Sequence, residues 1–249
     1  MLKNVLKKTH FGIYIFWVVF FFILFYPILW LAAKDPQKNF SLMARIRRSM
    51  AKLSAFCSGF YFRIKASGNI DWSRPYIICA NHTSILDISA LAILCKQETV
   101  FMGKIELLKN PITRMFFETI DIAVDRNSRI SSYKAFKAAQ QKLGEGRSVV
   151  IFPEGGIEDT FPPVLQPFKN GAFKLAIAND APILPVVIHE LWRLLWDGGM
   201  KGSQPGRCLI EVLDPIEARS LGFEEADLLR DHVRSLFEKH LNSNTGVTK

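Results

Sequence analysis

The feature that most constrains the fold is an apolar run near the N-terminus. Residues 11–33, FGIYIFWVVFFFILFYPILWLAA, contain no charged side chain. A helix of about 20 apolar residues is long enough to cross the hydrocarbon core of a bilayer. A secretory signal peptide would carry a shorter apolar region, about 7–15 residues. A core helix would present a polar face to water, which this run lacks. We therefore expect residues 11–33 to enter a membrane.

The segment that follows predicts a second, amphipathic helix. Over residues 41–60, apolar side chains recur every three or four positions, at Leu42, Ile46, Met50, Leu53 and Phe56. Pro27 interrupts the first run and can kink it. Positive charge flanks the apolar run on both sides, so the charges give only a weak indication of which end of the helix faces the cytoplasm. The pattern favours a two-helix hairpin in one leaflet, with a complete span as the alternative. The flanking cations are Lys3, Lys7, Lys8, Lys34, Lys38, Arg45, Arg47, Arg48 and Lys52.

The charge balance points to an anionic partner. The chain carries 32 Lys and Arg against 23 Asp and Glu, a net charge of +9. It contains no zinc-finger spacing, no aromatic RNA-binding strand and no long basic run, so nucleic acid is not predicted. Beside an apolar segment, a membrane surface is the simpler partner. The 4 cysteines show no paired spacing, which predicts neither a metal site nor a disulfide framework, and favours a reducing compartment.

From about residue 62 the sequence alternates between strand and helix patterns. Short apolar runs such as PYIICA, SVVIFP and PILPVVI are separated by helical segments. This alternation predicts an α/β fold with a largely parallel mixed sheet flanked by helices. We expect two parts: residues 1–60, a membrane-associated helical hairpin, and residues 61–249, an α/β domain.

The stretch NHTSILD places His82 and Asp87 between a strand and a helix. In a regular helix, side chains five positions apart point about 140° away from each other. They can meet if His82 lies in the loop and Asp87 in the first helical turn, with Thr83 or Ser84 as the N-cap. The carboxylate would then fix the imidazole tautomer. The alternative is that His82 only caps the helix and that Asp87 only interacts favourably with the helix dipole.

A His–Asp pair raises the question of a nucleophile. The chain contains no G-x-S-x-G motif and no cysteine in an activating motif. The base would then activate a hydroxyl of the substrate, and the reaction would be a transfer rather than a hydrolysis.

A glycine-containing turn provides a candidate phosphate site. Residues 153–156, PEGG, close a strand, and glycines let backbone N–H groups approach an anion. Arg126 ends the preceding predicted strand and offers bidentate donors to phosphate. Glu154 could orient Arg126 or accept from a substrate hydroxyl. The alternative is a turn with a surface carboxylate.

Four blocks in this order, NHTSILD, AVDR, FPEGG and ILPVVI, resemble the glycerolipid acyltransferases. They are most similar to the bacterial PlsC-type 1-acyl-sn-glycerol-3-phosphate acyltransferases. The resemblance covers roughly residues 60–190, and the N-terminal apolar hairpin is also similar.

The resemblance implies a role for each matching residue. His82 corresponds to the general base, and Asp87 to its orienting partner. The acceptor phosphate would be held by Arg126, Glu154, Gly155 and Lys104. The remaining positions, which would shape the site, are Asn81, Pro153, Gly156 and Pro185. Many members have Thr or Ser where this chain has Gly156, so the acceptor stays open at this stage.

The implied function is transfer of a fatty acyl group from acyl-CoA or acyl carrier protein to the free hydroxyl of lysophosphatidate. These thioesters are co-substrates, and no bound cofactor or metal is expected. The implied location is the inner membrane, with the catalytic domain on its cytoplasmic face. Alternatives are another acceptor, such as glycerol 3-phosphate or a lyso-amino-lipid, a lipid hydrolase, and a non-catalytic lipid-binding protein. Two tryptophans flanked by cations are candidates for the membrane interface or for the core: Trp192 and Trp196, near Arg193, Lys201 and Arg207.

Overall fold

The computed structural model describes residues 2–196, 202–219 and 221–244. The predicted interface residue Lys201 therefore lies outside the described residues. The helices are α1 (Leu2–Ala32), α2 (Phe40–Cys57), α3 (Leu86–Leu94), α4 (Pro111–Phe117), α5 (Arg129–Gly144), α6 (Gly171–Ala178) and α7 (Ala226–Asn244). The strands are β1 (Phe60–Ala66), β2 (Ile77–Ala80), β3 (Thr99–Lys104), β4 (Ile122–Val124), β5 (Ser148–Ile151), β6 (Ile183–Ile188), β7 (Leu195–Trp196), β8 (Gly202–Ser203) and β9 (Gly206–Val212).

Seven strands form one sheet in the order β1-β9-β6-β2-β5-β3-β4. Every neighbouring pair is parallel except β6 and β9, which are antiparallel. The predicted α/β class with a largely parallel mixed sheet is therefore confirmed. Side chains alternate between two apolar clusters along β2, where Ile77 and Cys79 join one cluster and Ile78 and Ala80 the other. Burial of both faces explains why this strand reads as an uninterrupted apolar run.

The sheet places the predicted functional segments along one edge. Strands β2, β5, β3 and β4 are consecutive neighbours and all parallel. Their carboxyl ends therefore meet at the same edge, where α/β sheets bind ligands. The residues that follow or end these strands are Asn81 and His82, Phe152 to Gly156, Lys104, and Asp125 and Arg126.

The two predicted N-terminal helices are present and pack against each other and against the sheet. Helix α1 is long and apolar enough to cross a membrane, and it includes Pro27. Helix α2 buries Phe40, Met43, Ile46 and Met50, at three- and four-residue steps. These residues belong to the same apolar cluster as Ile77 and Val149 of the sheet. The hairpin thus shares its core with the α/β part that begins at β1.

The predicted apolar stripe of α2 is buried inside the protein only in part. Leu53 is 37% exposed and Phe56 is 67% exposed, whereas Ser54 and Ala55 are buried. The buried stripe instead begins at Phe40 and Met43, because α2 packs between α1 and α3 and so turns a slightly rotated face inward.

Two predicted boundaries also differ from the structure. Strand β4 ends at Val124, so Arg126 lies in the turn beyond it; there the Asp125 carboxylate accepts from Asn127 N at 3.0 Å and turns the chain. The N-cap of α5 is Ser128, and its hydroxyl accepts from Ser131 N at 3.2 Å.

The N-cap position of α3 is Ile85, which carries no capping side chain, rather than Thr83 or Ser84. The Ser84 hydroxyl nevertheless accepts from Leu86 N at 3.2 Å. The backbone N–H groups of Thr83 and Ser84 instead donate to a carboxylate inside the helix. The loop before α3 is therefore organised around that carboxylate.

Candidate active site

The structure brings the predicted histidine and aspartate into contact. Nδ1 of His82 lies 3.1 Å from Oδ2 of Asp87, which is fully buried in the first turn of α3. The same oxygen accepts from Thr83 N at 2.7 Å and from Ser84 N at 2.9 Å. The Asp87 carboxylate thus fixes both the ring and the loop that carries it. With Nδ1 directed at the carboxylate, Nε2 is the ring nitrogen left to accept a proton.

Glu154 connects the His82 loop to the segment after β5. Its Oε1 accepts from His82 N at 2.7 Å, and its Oε2 accepts from Gln166 N at 2.8 Å. Only 7% of the residue is exposed. Burial raises the pKa of the Glu154 carboxyl to about 7, although the two backbone N–H donors oppose the rise. In this position the side chain fixes two backbone segments relative to each other, and it is not a surface carboxylate.

Three cationic side chains converge on the glycine pair. Gly155 has a φ of +86°, and a Cβ built there would lie 2.8 Å from Nζ of Lys169. A Cβ on Gly156 would lie 3.3 Å from Nζ of Lys104 and 3.9 Å from Nη1 of Arg126. Absence of both Cβ atoms therefore lets Lys169 lie against Gly155 and lets Lys104 and Arg126 lie near Gly156, so positive charge stands beside open backbone, which suits an anion.

Arg126 has unused hydrogen-bonding capacity. Its Nη1 is buried and has no hydrogen-bond partner among the residues that the structure describes. Burial also lowers the pKa of the Arg126 guanidinium, and the Glu106 carboxylate opposes that change. A buried donor without an acceptor is costly. A bound anion would satisfy it.

A cavity of about 420 Å³ is lined by both the imidazole of His82 and two of these cations, Lys104 and Arg126. The rest of its lining is mostly apolar, with side chains from α3, β3 and α4. Glu106 and the Arg47–Asp121 ion pair also line it. A substrate with an anionic group, a nearby hydroxyl and an apolar chain would match this distribution of groups.

The other predicted site residues occupy supporting positions. The Asn81 amide donates to Ile188 O at 2.9 Å and accepts from Ile188 N at 2.8 Å, which ties the ends of β2 and β6 together. Pro153 O accepts from Lys169 N at 2.8 Å. Pro185 lies inside β6, opposite Cys79, and the structure does not place it on the wall of this cavity.

A model of the Acyltransferase family matches residues 62–189, which is more than half of the chain. The chain belongs to the Acyltransferase family. The family inferred from the four sequence blocks is therefore confirmed.

Two curated relatives carry a more specific name. The chain is 25% identical over 220 residues to 1-acyl-sn-glycerol-3-phosphate acyltransferase alpha of Mus musculus, a match covering 88% of this chain and 75% of the relative. It is 29% identical over 167 residues to 1-acyl-sn-glycerol-3-phosphate acyltransferase of Escherichia coli, and 66% of each protein is covered.

The fold has a solved counterpart. The crystal structure of the 1-acyl-sn-glycerophosphate (LPA) acyltransferase PlsC from Thermotoga maritima aligns with a TM-score of 0.78. The alignment covers 100% of this chain and 98% of that one, at 21% sequence identity. The N-terminal hairpin and the sheet are therefore arranged in this member of the Acyltransferase family much as they are in PlsC.

Two residues of this site were missed by reasoning from sequence. The His82 ring stacks on Phe152, with ring centroids 3.9 Å apart and planes inclined by 17°. Phe152 is the first residue of the FPEGG motif, but nothing in the spacing of that motif distinguishes it from an ordinary core side chain. Lys169 reaches Gly155 only because the chain after Gly156 folds back, so that Lys169 N bonds Pro153 O. No local sequence pattern predicts that the chain folds back at this point.

Proposed function

We propose that the chain is a 1-acyl-sn-glycerol-3-phosphate acyltransferase, which transfers a fatty acyl group from acyl-CoA or acyl carrier protein to lysophosphatidate and so forms phosphatidate. The observation that carries this proposal is one cavity lined by both His82, held by Asp87, and Arg126 with its unpartnered Nη1. The names of the mouse and Escherichia coli relatives support the same reaction.

The proposed chemistry needs one base and no covalent intermediate on the protein. Nε2 of His82 takes the proton of the acceptor hydroxyl while the hydroxyl oxygen attacks the thioester carbonyl carbon. When the tetrahedral intermediate collapses, the C–S bond breaks and the leaving sulfur takes the proton from the imidazolium. The products are an ester and a free thiol. General base catalysis of this kind is typically worth about 100- to 10,000-fold.

The cations would hold the acceptor phosphate. Lys104 and Arg126 surround Gly156, and Lys169 approaches Gly155, so a phosphate at this turn would meet both charged donors and backbone. A phosphate fixed there brings the neighbouring glycerol hydroxyl toward His82 across the same cavity. The binding energy of the phosphate then offsets part of the entropy that is lost when the hydroxyl and the imidazole are held together.

The apolar lining of the cavity suits the donor's acyl chain. Ile85, Ile88, Phe101, Phe116 and Phe117 all contribute to it. A chain packed against these side chains would leave its thioester carbonyl beside the imidazole.

Membrane association follows from the surface of α1. Large apolar side chains remain exposed along it, including Phe16 at 58%, Ile23 at 65% and Leu31 at 57%. An exposed apolar surface of this length is unfavourable in water and favourable in a bilayer. The Tyr14 hydroxyl lies 3.2 Å from the Ser89 hydroxyl of α3, so the membrane helix contacts the helix that carries Asp87. We place the catalytic part on the cytoplasmic face of the inner membrane, where thioester donors occur.

An acceptor panel tests the proposal. Purified full-length protein in detergent micelles is given palmitoyl-CoA with lysophosphatidate, glycerol 3-phosphate, a lyso-amino-lipid or no acceptor, and thiol release and lipid product are measured. We expect release with lysophosphatidate and formation of phosphatidate. Equal release without acceptor would indicate a hydrolase, and lipid binding without release would indicate a non-catalytic protein.

The phosphate site is tested separately with Arg126→Ala. We expect the KM for lysophosphatidate to rise about tenfold or more, with the KM for palmitoyl-CoA changed little, because the charge-assisted contact is made to the acceptor. Arg114→Ala removes an exposed arginine and serves as the control. Equal changes in both KM values would contradict the assignment of Arg126.

A further inference from the structure

A second cavity adjoins the reaction cavity at Arg126. It measures about 250 Å³ and is lined by residues of α5, α6 and the ends of β3, β4 and β5. Its interior is apolar: Ala135, Phe136, Ala172 and Leu175 face it from the two helices. The proposed reaction uses none of these side chains.

The two cavities share a wall. Met102, Arg126 and Phe152 line both of them. The glycine pair is divided between them as well, with Gly155 on the second cavity and Gly156 on the reaction cavity. A group held by the Arg126 guanidinium therefore stands at the boundary, with a route to either side.

The lining selects for one kind of molecule. Arg126 and Lys169 supply positive charge at the boundary, and no acidic side chain of the described residues lines this second cavity. Apolar walls behind a cationic rim suit an alkyl chain joined to an anionic head. The volume offers room for about eight groups of water size, which corresponds to the first part of a long acyl chain.

We propose that this second cavity binds the acyl chain that the acceptor already carries. This inference rests on the proposed function, in which Arg126 holds the acceptor phosphate. The phosphate sits at the shared wall, the free hydroxyl turns toward His82, and the existing chain extends between α5 and α6. The donor chain occupies the reaction cavity, so the two chains lie on opposite sides of Arg126 and Phe152. Recognition of the acceptor thus includes its chain as well as its headgroup.

Filling the cavity tests this arrangement. Ala135→Leu and Ala172→Leu each add bulk to a lining position that is buried in the wild type. Ala138→Leu is the matched control, because Ala138 lies one turn further along α5 and does not line the cavity. Full-length variants are assayed with palmitoyl-CoA and two acceptors, palmitoyl-lysophosphatidate and 1-acetyl-glycerol 3-phosphate.

We expect the KM for the palmitoyl acceptor to rise about tenfold in both filled variants, since displacing about two buried methylenes weakens binding by about that factor. The KM values for the acetyl acceptor and for palmitoyl-CoA should stay within about twofold of wild type. An unchanged KM for the palmitoyl acceptor, an equal rise for both acceptors, or a rise for palmitoyl-CoA would each overturn the inference. If wild type transfers to no acceptor at all, the proposed function fails instead.

Photo-crosslinking of the wild-type protein locates the acceptor chain even if a variant with a filled cavity does not fold. Lysophosphatidate with a diazirine in its acyl chain is irradiated with the full-length protein, and the modified peptides are identified by mass spectrometry. We expect adducts in α5 and α6, suppressed by unlabelled palmitoyl-lysophosphatidate. Adducts confined to α3 and α4 would place the acceptor chain in the reaction cavity and overturn the inference.

Discussion

The phenyl ring of Phe152 lies parallel to the imidazole of His82, with 3.9 Å between the ring centroids. The same phenylalanine lines both cavities. One side chain therefore supports the proposed base and separates the two spaces beside it.

Replacing this ring tests its supporting role. In Phe152→Leu we expect kcat to fall about tenfold, because an aromatic pair is worth about 0.5–1.5 kcal/mol beyond its buried area and that contact holds the imidazole plane. Steady-state thiol release gives kcat, and Phe223→Leu, at an exposed phenylalanine, is the control. An unchanged kcat would mean that Asp87 alone orients the ring.

The hydrogen bonds to Asp87 predict a second effect. Oδ2 of Asp87 takes the contacts from His82, Thr83 and Ser84, and Asp87→Asn removes the negative charge behind them. The imidazole then loses the carboxylate that fixes its tautomer and stabilises its protonated form. We expect kcat to fall by about 100-fold or more, with little change in the KM for lysophosphatidate. Asp71→Asn, which alters only a local surface turn, should behave as wild type. A change of only a few-fold in the Asp87 variant would argue that the contact is structural.

Glu154 predicts a pH dependence of stability. Its pKa is raised from the ordinary value of 4.5 to about 7, so the folded protein holds this proton more tightly than the unfolded chain does. The stabilising contribution is complete below pH 4.5 and is lost as the pH rises through about 7. The loss is on the order of 3 kcal/mol.

Glu154→Gln removes the titration. We expect the difference in unfolding free energy between wild type and this variant to shrink as the pH rises across that window, measured by denaturant titration in detergent. A difference that does not vary with pH would show that the Glu154 carboxyl titrates normally. Glu224→Gln, at an exposed carboxylate just before α7, is the control.

The ion pair between α2 and the chain before β4 predicts a large stability effect. Arg47 Nη1 lies 2.7 Å from Asp121, whose side chain is 3% exposed, and Asp121 Oδ1 also accepts from Phe101 N at 2.8 Å. Removing the Asp121 carboxylate leaves the largely buried Arg47 guanidinium without this opposite charge and with Thr99 O as an acceptor, and breaking a buried ion pair in this way costs about 3–5 kcal/mol. We therefore expect Asp121→Ala to lower the unfolding free energy by that amount.

The exposed pair Arg74–Glu217 is the natural comparison, because its side chains are 40% and 55% exposed. Glu217→Ala should cost less than about 1 kcal/mol. If thermal or denaturant unfolding shows equal effects for the two substitutions, the buried pair does not anchor α2.

The sequence was most informative where patterns are local. Apolar runs of four to six residues predicted β2, β5 and β6, and their alternation with helices predicted a parallel sheet. Because parallel strands end at one edge, the convergence of the His82 and Arg126 segments also followed from the sequence.

What escaped prediction depends on long-range packing. The buried face of α2 is set by the helices on either side of it, and periodicity alone does not show that Met43 packs inside the protein while Leu53 and Phe56 stay on its surface. Lys169 enters the site through a chain reversal, in which Gln166 N donates to Glu154 and Lys169 N donates to Pro153 O. Such contacts join residues more than ten positions apart and leave no spacing signal.

The most direct test of the account is thiol release from palmitoyl-CoA with lysophosphatidate by full-length wild type, His82→Ala and His232→Ala. His232 is exposed on α7, so its removal controls for loss of an imidazole elsewhere. We predict that His82→Ala lowers kcat by about 100- to 10,000-fold with unfolding behaviour preserved, and that His232→Ala matches wild type. Equal turnover by wild type and His82→Ala would contradict the central claim that this imidazole takes the acceptor's proton.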